Sequence, residues 1–275
     1  MKNAIIVLFI AVSAIIIPAD LFGEIRLPLP EGIHYHRFAS SVAGPEAVWI
    51  NPAALGKNSN LYVQYMGEYF DGDFADSWGL VVTGDGVGIS YRYLEDFLGA
   101  EYGEYIFGVG SSLGETFYWG GSYRYVKKGP ENYNKRHFWN FGLIYSNSPQ
   151  YTMGAVFSNL NRGKIEGEKS AVEQLYSVSY RSAGGMWIFS TEMTLSSGQS
   201  LSDAEYRYGL DVIFSERIRL FASIDDDKNY QIGFRINFGE YFAGGQGRAD
   251  SENNHLGTAV YAGFEKTMPP HSLPR

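Results

Sequence analysis

"NYQIGFRINF", residues 229–238, decides the fold. Tyr230, Ile232, Phe234, Ile236 and Phe238 share one face, while Asn229, Gln231, Gly233, Arg235 and Asn237 share the other. Successive side chains of an extended chain point to opposite sides, so this strict period of two is a strand with one apolar and one polar face. "AEYRYGLDVIF" (204–214) repeats the pattern, with Ala204, Tyr206, Tyr208, Leu210, Val212 and Phe214 opposite Glu205, Arg207, Gly209 and Asp211. In "ETFYWGGSYRYV" (115–126), Phe117, Trp119, Tyr123 and Tyr125 oppose Gly120, Ser122 and Arg124. "FWNFGLIY" (138–145) and "VGISYRYL" (87–94) alternate in the same way.

Weaker alternation extends the series to Leu61–Tyr69, Ser77–Val82, Gly103–Ser111, Tyr151–Asn159, Gln174–Arg181, Trp187–Leu195, Arg217–Asp225, Glu240–Gly247 and Thr258–Phe264. Turn chemistry separates them: "GDG" at 84–86, "NSPQ" at 147–150, "SSG" at 196–198, "FSER" at 214–217 and "DDDKN" at 225–229. The spacing predicts about fourteen strands of about ten residues each, joined by short turns.

Two architectures produce such a sequence. A soluble sandwich or propeller buries the apolar face against a second layer. A membrane barrel turns that face to lipid and keeps the polar face inside. The barrel is favoured on three grounds. Aromatics gather near segment ends (Tyr69, Tyr91, Tyr93, Tyr123, Tyr125, Tyr145, Tyr151), as interfacial girdles do. Gly, Ser, Asn and Arg fill the alternate face, which suits a lumen. No helical stretch interrupts the run after residue 58. Closure is also what satisfies every backbone group of a sheet in lipid. The expected fold class is all-β, a transmembrane antiparallel up-and-down β-barrel of about fourteen strands with a short N-terminal plug segment.

The first residues predict export. Met1-Lys2-Asn3 is a short basic start, and Ala4 to Ile17 is uncharged and almost wholly apolar. That is the length of a signal-peptide core and short of the roughly twenty residues a spanning helix needs. Cleavage is expected near Gly23, and no later stretch could span a membrane as a helix. The expected organisation is a signal peptide at 1–23, a plug segment at 24–58, a barrel at 59–266 and a tail at 267–275.

The formal charge of −8 argues against a nucleic-acid partner, which needs a basic face. The absence of cysteine removes disulfides, thiolate chemistry and Cys-based zinc sites. His34 and His36 share a face, yet no acidic partner completes a metal set. Asp71 and Asp73 in "DGDFAD" resemble the start of a calcium loop, but the later ligands and terminal Glu are missing. Asp225-Asp226-Asp227 reads as a solvated turn. "GDGVG" (84–88) is followed by a strand where phosphate binding wants a helix. No G-x-S-x-G elbow occurs. The sequence therefore predicts no enzyme, no catalytic residue, no metal site and no cofactor. On the polar faces Arg92, Arg124, Glu192, Arg207, Asp211, Arg219 and Arg235 mix both signs. Two accounts of them stand open: ion pairs that fill a barrel interior, or a selectivity lining.

"AVWINPAALG" (47–56) reads locally as one helical turn. Asn51 caps it, Pro52 takes the first position, Ala53-Ala54-Leu55 complete it and Gly56 ends it. The longer stretch "FASSVAGPEAVWINPAALGKNSNLYV" (38–63) resembles the start of the FadL-like family of outer-membrane barrels, which includes long-chain fatty-acid transporters and PorV/PorQ-type proteins. The matching positions are Ser40, Ser41, Ala43, Trp49, Asn51, Pro52, Ala53 and Leu55. "GAVFSNLNRGKI" (154–165) and the closing strands are similar at the level of pattern.

The resemblance implies that the pre-strand segment folds into the barrel as a plug, with Asn51 and Pro52 fixing a tight turn and Trp49 packing it to the wall. It implies a cell outer-membrane location, outer-membrane lipid as a partner, and passage of small or hydrophobic molecules, hence a hydrophobic small-molecule ligand. The alternative it implies is a non-conducting PorV-like scaffold or shuttle, with secretion-system proteins as partners. Two features depart from the family. The turns are short, with 127–137 and 161–173 the longest loop candidates, and the last strand, ending at Phe264, is followed by Glu265-Lys266 and "TMPPHSLPR".

Overall fold

The computed structural model describes residues 37–70, 73–95, 101–128, 135–165 and 168–268. The expected signal peptide, residues 24–36 of the expected plug with His34 and His36, Asp71, and residues 269–275 of the tail lie outside these.

Fourteen strands close into one barrel. They are β1 (Leu61–Phe70), β2 (Asp73–Gly84), β3 (Val87–Glu95), β4 (Glu101–Leu113), β5 (Phe117–Lys128), β6 (Arg136–Ser146), β7 (Tyr151–Ser158), β10 (Glu173–Arg181), β11 (Trp187–Ser196), β12 (Glu205–Ile213), β13 (Ile218–Asp225), β14 (Tyr230–Phe238), β15 (Tyr241–Ala249) and β16 (His255–Lys266). Each pairs antiparallel with its neighbours in sequence, and β1 closes the ring on β16 through Leu61↔Lys266 to Tyr69↔Thr258. The loop between β7 and β10 carries a separate two-stranded ribbon, β8 (Lys164–Ile165) and β9 (Glu168–Lys169), which period-two reading did not separate from the loop. Two-residue strands carry too few side chains to show a period.

The two mouths differ. At one, the connections are tight: 85–86, 114–116, 147–150, 182–186, 214–217 and 239–240. Asp85 and Gly86 both have positive φ (48° and 80°), the backbone twist that a two-residue hairpin requires. At the other mouth the connections include 96–100, 129–135, 159–172 and 197–204. The three register shifts, at Gly67/Tyr69, Gly103/Glu104 and Arg248/Ala249, all fall toward that second mouth, where bulges commonly bend a barrel rim.

The strand faces separate as their periodicity dictates. Ile89, Phe107, Val109, Trp119, Ile232 and Phe234 are exposed, and the alternate residues Ser90, Ile106, Ser122, Gln231 and Ser223 are buried. Over most of the barrel this apolar face is open, with no second protein layer against it, unlike a sandwich; on β6 and β7 the outward-phase Leu143, Tyr145, Ala155 and Phe157 are buried. On this outer face Tyr65, Trp78, Tyr91 and Tyr105 form a continuous ring row across β1 to β4, with centroids 6.3, 5.2 and 4.8 Å apart. Tyr123 and Trp139, 4.9 Å apart, make the same contact between β5 and β6. Among the described residues no helix is long and apolar enough to cross a membrane.

The last strand runs two residues past the expected Phe264, to Lys266. Glu265 keeps the inward phase of Ala259, Tyr261 and Gly263. Its carboxylate accepts the Tyr62 hydroxyl (2.6 Å), Asn60 (2.9 Å) and Arg235 (3.1 Å). Glu265 is thus a strand residue paired inside the barrel.

Candidate functional site

Residues 37–57 run along the inner wall as a short α-helix, α1 (Ala47–Ile50), and a 3-10 helix (Pro52–Lys57). Phe38, Ala39, Val42, Ala47, Val48, Ala53, Ala54 and Leu55 are all buried. Asn51, fully buried, joins the two helices. Its Oδ1 accepts the Ala53 N–H (3.1 Å), capping the 3-10 helix, and its Nδ2 donates to Ala39 O (2.9 Å) and to Leu143 O on β6 (3.2 Å). One side chain therefore ties both halves of the segment to the wall. Pro52 sits at the start of the helix, where its missing N–H costs nothing.

Gly56 does not end the helix, which continues to Lys57. It serves a close approach: a Cβ there would stand 2.6 Å from the backbone of Ser111 on β4. The wall answers with its own glycines. A Cβ on Gly110 would lie 2.6 Å from Pro52 O and Gly56 N, and one on Gly154 would lie 2.7 Å from Ala39. Gly120 and Gly142 would collide with Pro52 and Asn51. Inward glycines on β4 to β7 thus let one backbone lie directly on another, as glycine alone permits.

Two arginine clamps hold the aromatic side chains of the segment. On β12, Arg207 covers the ring of Phe38 (4.4 Å) and donates to Arg37 O (2.8 Å) and Glu192 (2.6 Å). Glu192 in turn accepts the Ala39 N–H at 3.0 Å. On β3, Arg92 lies over Trp49 (5.8 Å), whose indole N–H donates to Ser90 Oγ (2.6 Å). Ser40 Oγ lies 2.7 Å from the hydroxyls of both Ser177 and Ser179 on β10. Across the barrel, Trp49 packs on a buried cluster of Tyr62, Met66, Tyr102, Phe242, Ala259 and Tyr261.

All seven charged residues singled out in the sequence face inward, and each has an opposite partner. Arg92 (2.5 Å) and Arg124 (3.8 Å) converge on Glu104. Glu192 pairs with Arg207, Asp211 with Arg219, and Arg235 with Glu265. Arg124 and Arg235 also cover the rings of Phe138 (4.7 Å) and Phe242 (3.9 Å). Glu104 and Glu265 escaped the sequence reading, although period two from Ile106 and from Gly263 points both inward. Ser177, Ser179 and the glycine wall were missed for another reason: a small residue signals nothing until the backbone it faces is known. Among the described residues no group of three or more His, Asp or Glu could hold a metal ion.

The closed barrel has a counterpart among solved structures. The outer-membrane protein Omp33 of Acinetobacter baumannii matches it with a TM-score of 0.50 and 11% identity, over 78% of this chain and 100% of Omp33. The fold is that of an outer-membrane β-barrel. Lower similarity is found to a triple mutant of the Rhodopseudomonas blastica porin (TM-score 0.44, 12% identity, 75% of this chain and 98% of the porin) and to KdgM porin (TM-score 0.40, 8% identity, 76% and 99%). No protein-family model and no curated protein matches the chain.

Proposed function

We propose that this chain is an exported outer-membrane barrel that passes small or hydrophobic molecules, and that residues 38–57 are its plug. The observation that carries the proposal is the seating of that segment on a glycine wall, with a clamp at Phe38 and another at Trp49. An exposed apolar belt with an aromatic row supports placement in a bilayer. The basic start and apolar stretch at 1–17 support export. The Asn-Pro-Ala-x-Leu motif at 51–55 supports placement in the FadL-like superfamily, on its PorV/PorQ-type branch.

The mechanism is diffusion past a displaceable segment, with no energy source in the chain. Passage requires residues 38–57 to leave the wall, because they fill the path between β3–β7 and the Tyr62–Phe242–Tyr261 cluster. A second reading is favoured by the same packing. With every singled-out lumen charge paired and the interior filled, the barrel is also suited to be a non-conducting scaffold that meets secretion proteins through its longer loops.

The chain has no cysteine, so a Ser40→Cys/Ser177→Cys pair forms one unambiguous crosslink where the two hydroxyls now lie 2.7 Å apart. Proteoliposomes containing this variant are expected to take up solute when reduced and to stop when oxidised. Equal transport in both states would exclude displacement of the segment. Absence of transport in both, and in the parent chain, would leave the scaffold.

A further inference from the structure

The walls on which the plug rests have a definite chemistry of their own. One side offers backbone and hydroxyls: the glycines of β4–β7, Ser90 on β3, Ser122 on β5, and Ser177 and Ser179 on β10, of which Ser179 is bonded onward to Ser190 (2.7 Å). The facing side offers aromatic rings, Tyr62, Phe242 and Tyr261. The charges between them come as pairs, so a guanidinium freed from Phe38 or Trp49 still has a carboxylate beside it. Buried wall groups also retain unused hydrogen-bonding atoms: both side-chain polar atoms of Gln64, Thr83 Oγ1 and Arg219 Nε have no partner among the described residues. Gln64 and Thr83 are at most 3% exposed. Unused polar atoms in an interior are costly unless something meets them.

We infer that the solute admitted when the segment moves is small, uncharged and rich in hydroxyls, of the monosaccharide type. This rests on the passage reading and narrows it. A fatty acid would need a continuous apolar lining, and its tail would lie against hydroxyls and ion pairs at a desolvation cost to the wall. An anion or cation would have to compete with the carboxylate or guanidinium already in each pair. A polyhydroxylated ring does neither. Its C–H face lies on the aromatic side, and its hydroxyls both donate and accept, so they match Ser, Gln and paired Arg–Glu groups at once.

The test uses the full-length chain in proteoliposomes and four radiolabelled probes: glucose, gluconate, glucosamine and oleate. The first three share a size and differ in charge. In a Trp49→Ala/Asn51→Ala variant, which removes a clamp and the central hydrogen-bonded side chain, glucose entry is expected to rise about tenfold over the parent. Gluconate, glucosamine and oleate are expected to remain near the protein-free leak. A heat-modifiability gel establishes that the variant is folded. The reduced Ser40→Cys/Ser177→Cys chain supplies the same comparison without truncating either clamp. Entry of a charged sugar at the rate of glucose, or selective entry of oleate, overturns this inference and leaves passage standing. Entry of no probe through either variant overturns both.

Discussion

Glu192 accepts the backbone N–H of Ala39, linking β11 to a residue 153 positions earlier in the chain at 3.0 Å. The other carboxylate oxygen holds Arg207 at 2.6 Å, and Arg207 covers Phe38. One buried carboxylate therefore fixes both the backbone and, through the guanidinium, the leading aromatic of the segment. Glu192→Gln leaves an amide that cannot accept from both donors. It is expected to cost about 1.5–3 kcal/mol, the range for hydrogen bonds to charged groups. The measurements are urea unfolding in detergent and limited proteolysis of residues 37–57. Unchanged protection of that segment would show that Glu192 is not its anchor.

Gly142 separates seating from barrel stability. A Cβ at this position would collide with Asn51 Oδ1 and stand 3.0 Å from Pro52 Cδ. Gly142→Ala is expected to cost about 1–3 kcal/mol by overpacking. The segment should become accessible to protease while the barrel still migrates as a folded species on an unheated gel. Gly184→Ala is the matched control, since a Cβ there meets nothing within 4 Å, and its effect should stay within about 0.5 kcal/mol. Equal effects of the two substitutions would contradict the close-approach account.

Ile232 tests which solvent the outer face meets. It is 60% exposed and is the third of the nine residues of β14, between the inward Gln231 and Gly233. In a bilayer, Ile232→Arg places a charge in hydrocarbon and should destabilise folding into lipid vesicles by about 1–4 kcal/mol according to its depth. In an aqueous protein the same exposed substitution would be nearly neutral. A denaturant titration of vesicle-folded protein gives the answer, and a change below about 0.5 kcal/mol would remove the outer face from lipid.

The turn at 250–254 has a pH signature. Asp250 accepts the Asn254 side-chain amide (2.8 Å), the Asn254 backbone N–H (2.8 Å) and the Glu252 N–H (2.9 Å). These bonds, the Asn254 side chain foremost, hold its carboxyl below the ordinary value of 3.8. Because the folded value is the lower one, the charged form favours the closed turn. That contribution is complete above the unfolded carboxylate range, near about 3.9, and is lost as pH falls through the folded value. A carbon NMR titration should place the Asp250 midpoint below that of the same residue in a peptide spanning 248–256. Coincident midpoints would mean that the turn does not hold its hydrogen bonds in solution.

Period two made the barrel legible because each strand meets two different surroundings, and Tyr230–Phe238 records both in nine letters. The strand ends were less legible. The last strand was read only to Phe264 because the partners that hold Glu265, Asn60, Tyr62 and Arg235, lie up to 205 residues away. The inner segment was half legible. Asn51 and Pro52 showed a cap, which is a local matter, but the wall that receives them is built from residues with no side chain to read. Arg92 and Arg207 were visible as inward charges. Their contacts with Trp49 and Phe38 depend on the path of residues 37–57 across the interior, and no spacing in the sequence encodes that path.

Strand parity fixes the topology of labels. With an even number of crossings, the start of β1 at Leu61 and the end of β16 at Lys266 emerge on one side, together with the hairpins at 85–86, 114–116, 147–150, 182–186, 214–217 and 239–240. An epitope joined after Lys266 and one placed in the Asp85–Gly86 turn must report from the same compartment, and one inserted within 159–172 must report from the opposite compartment. Surface labelling of intact cells would then orient the whole chain from a single positive signal.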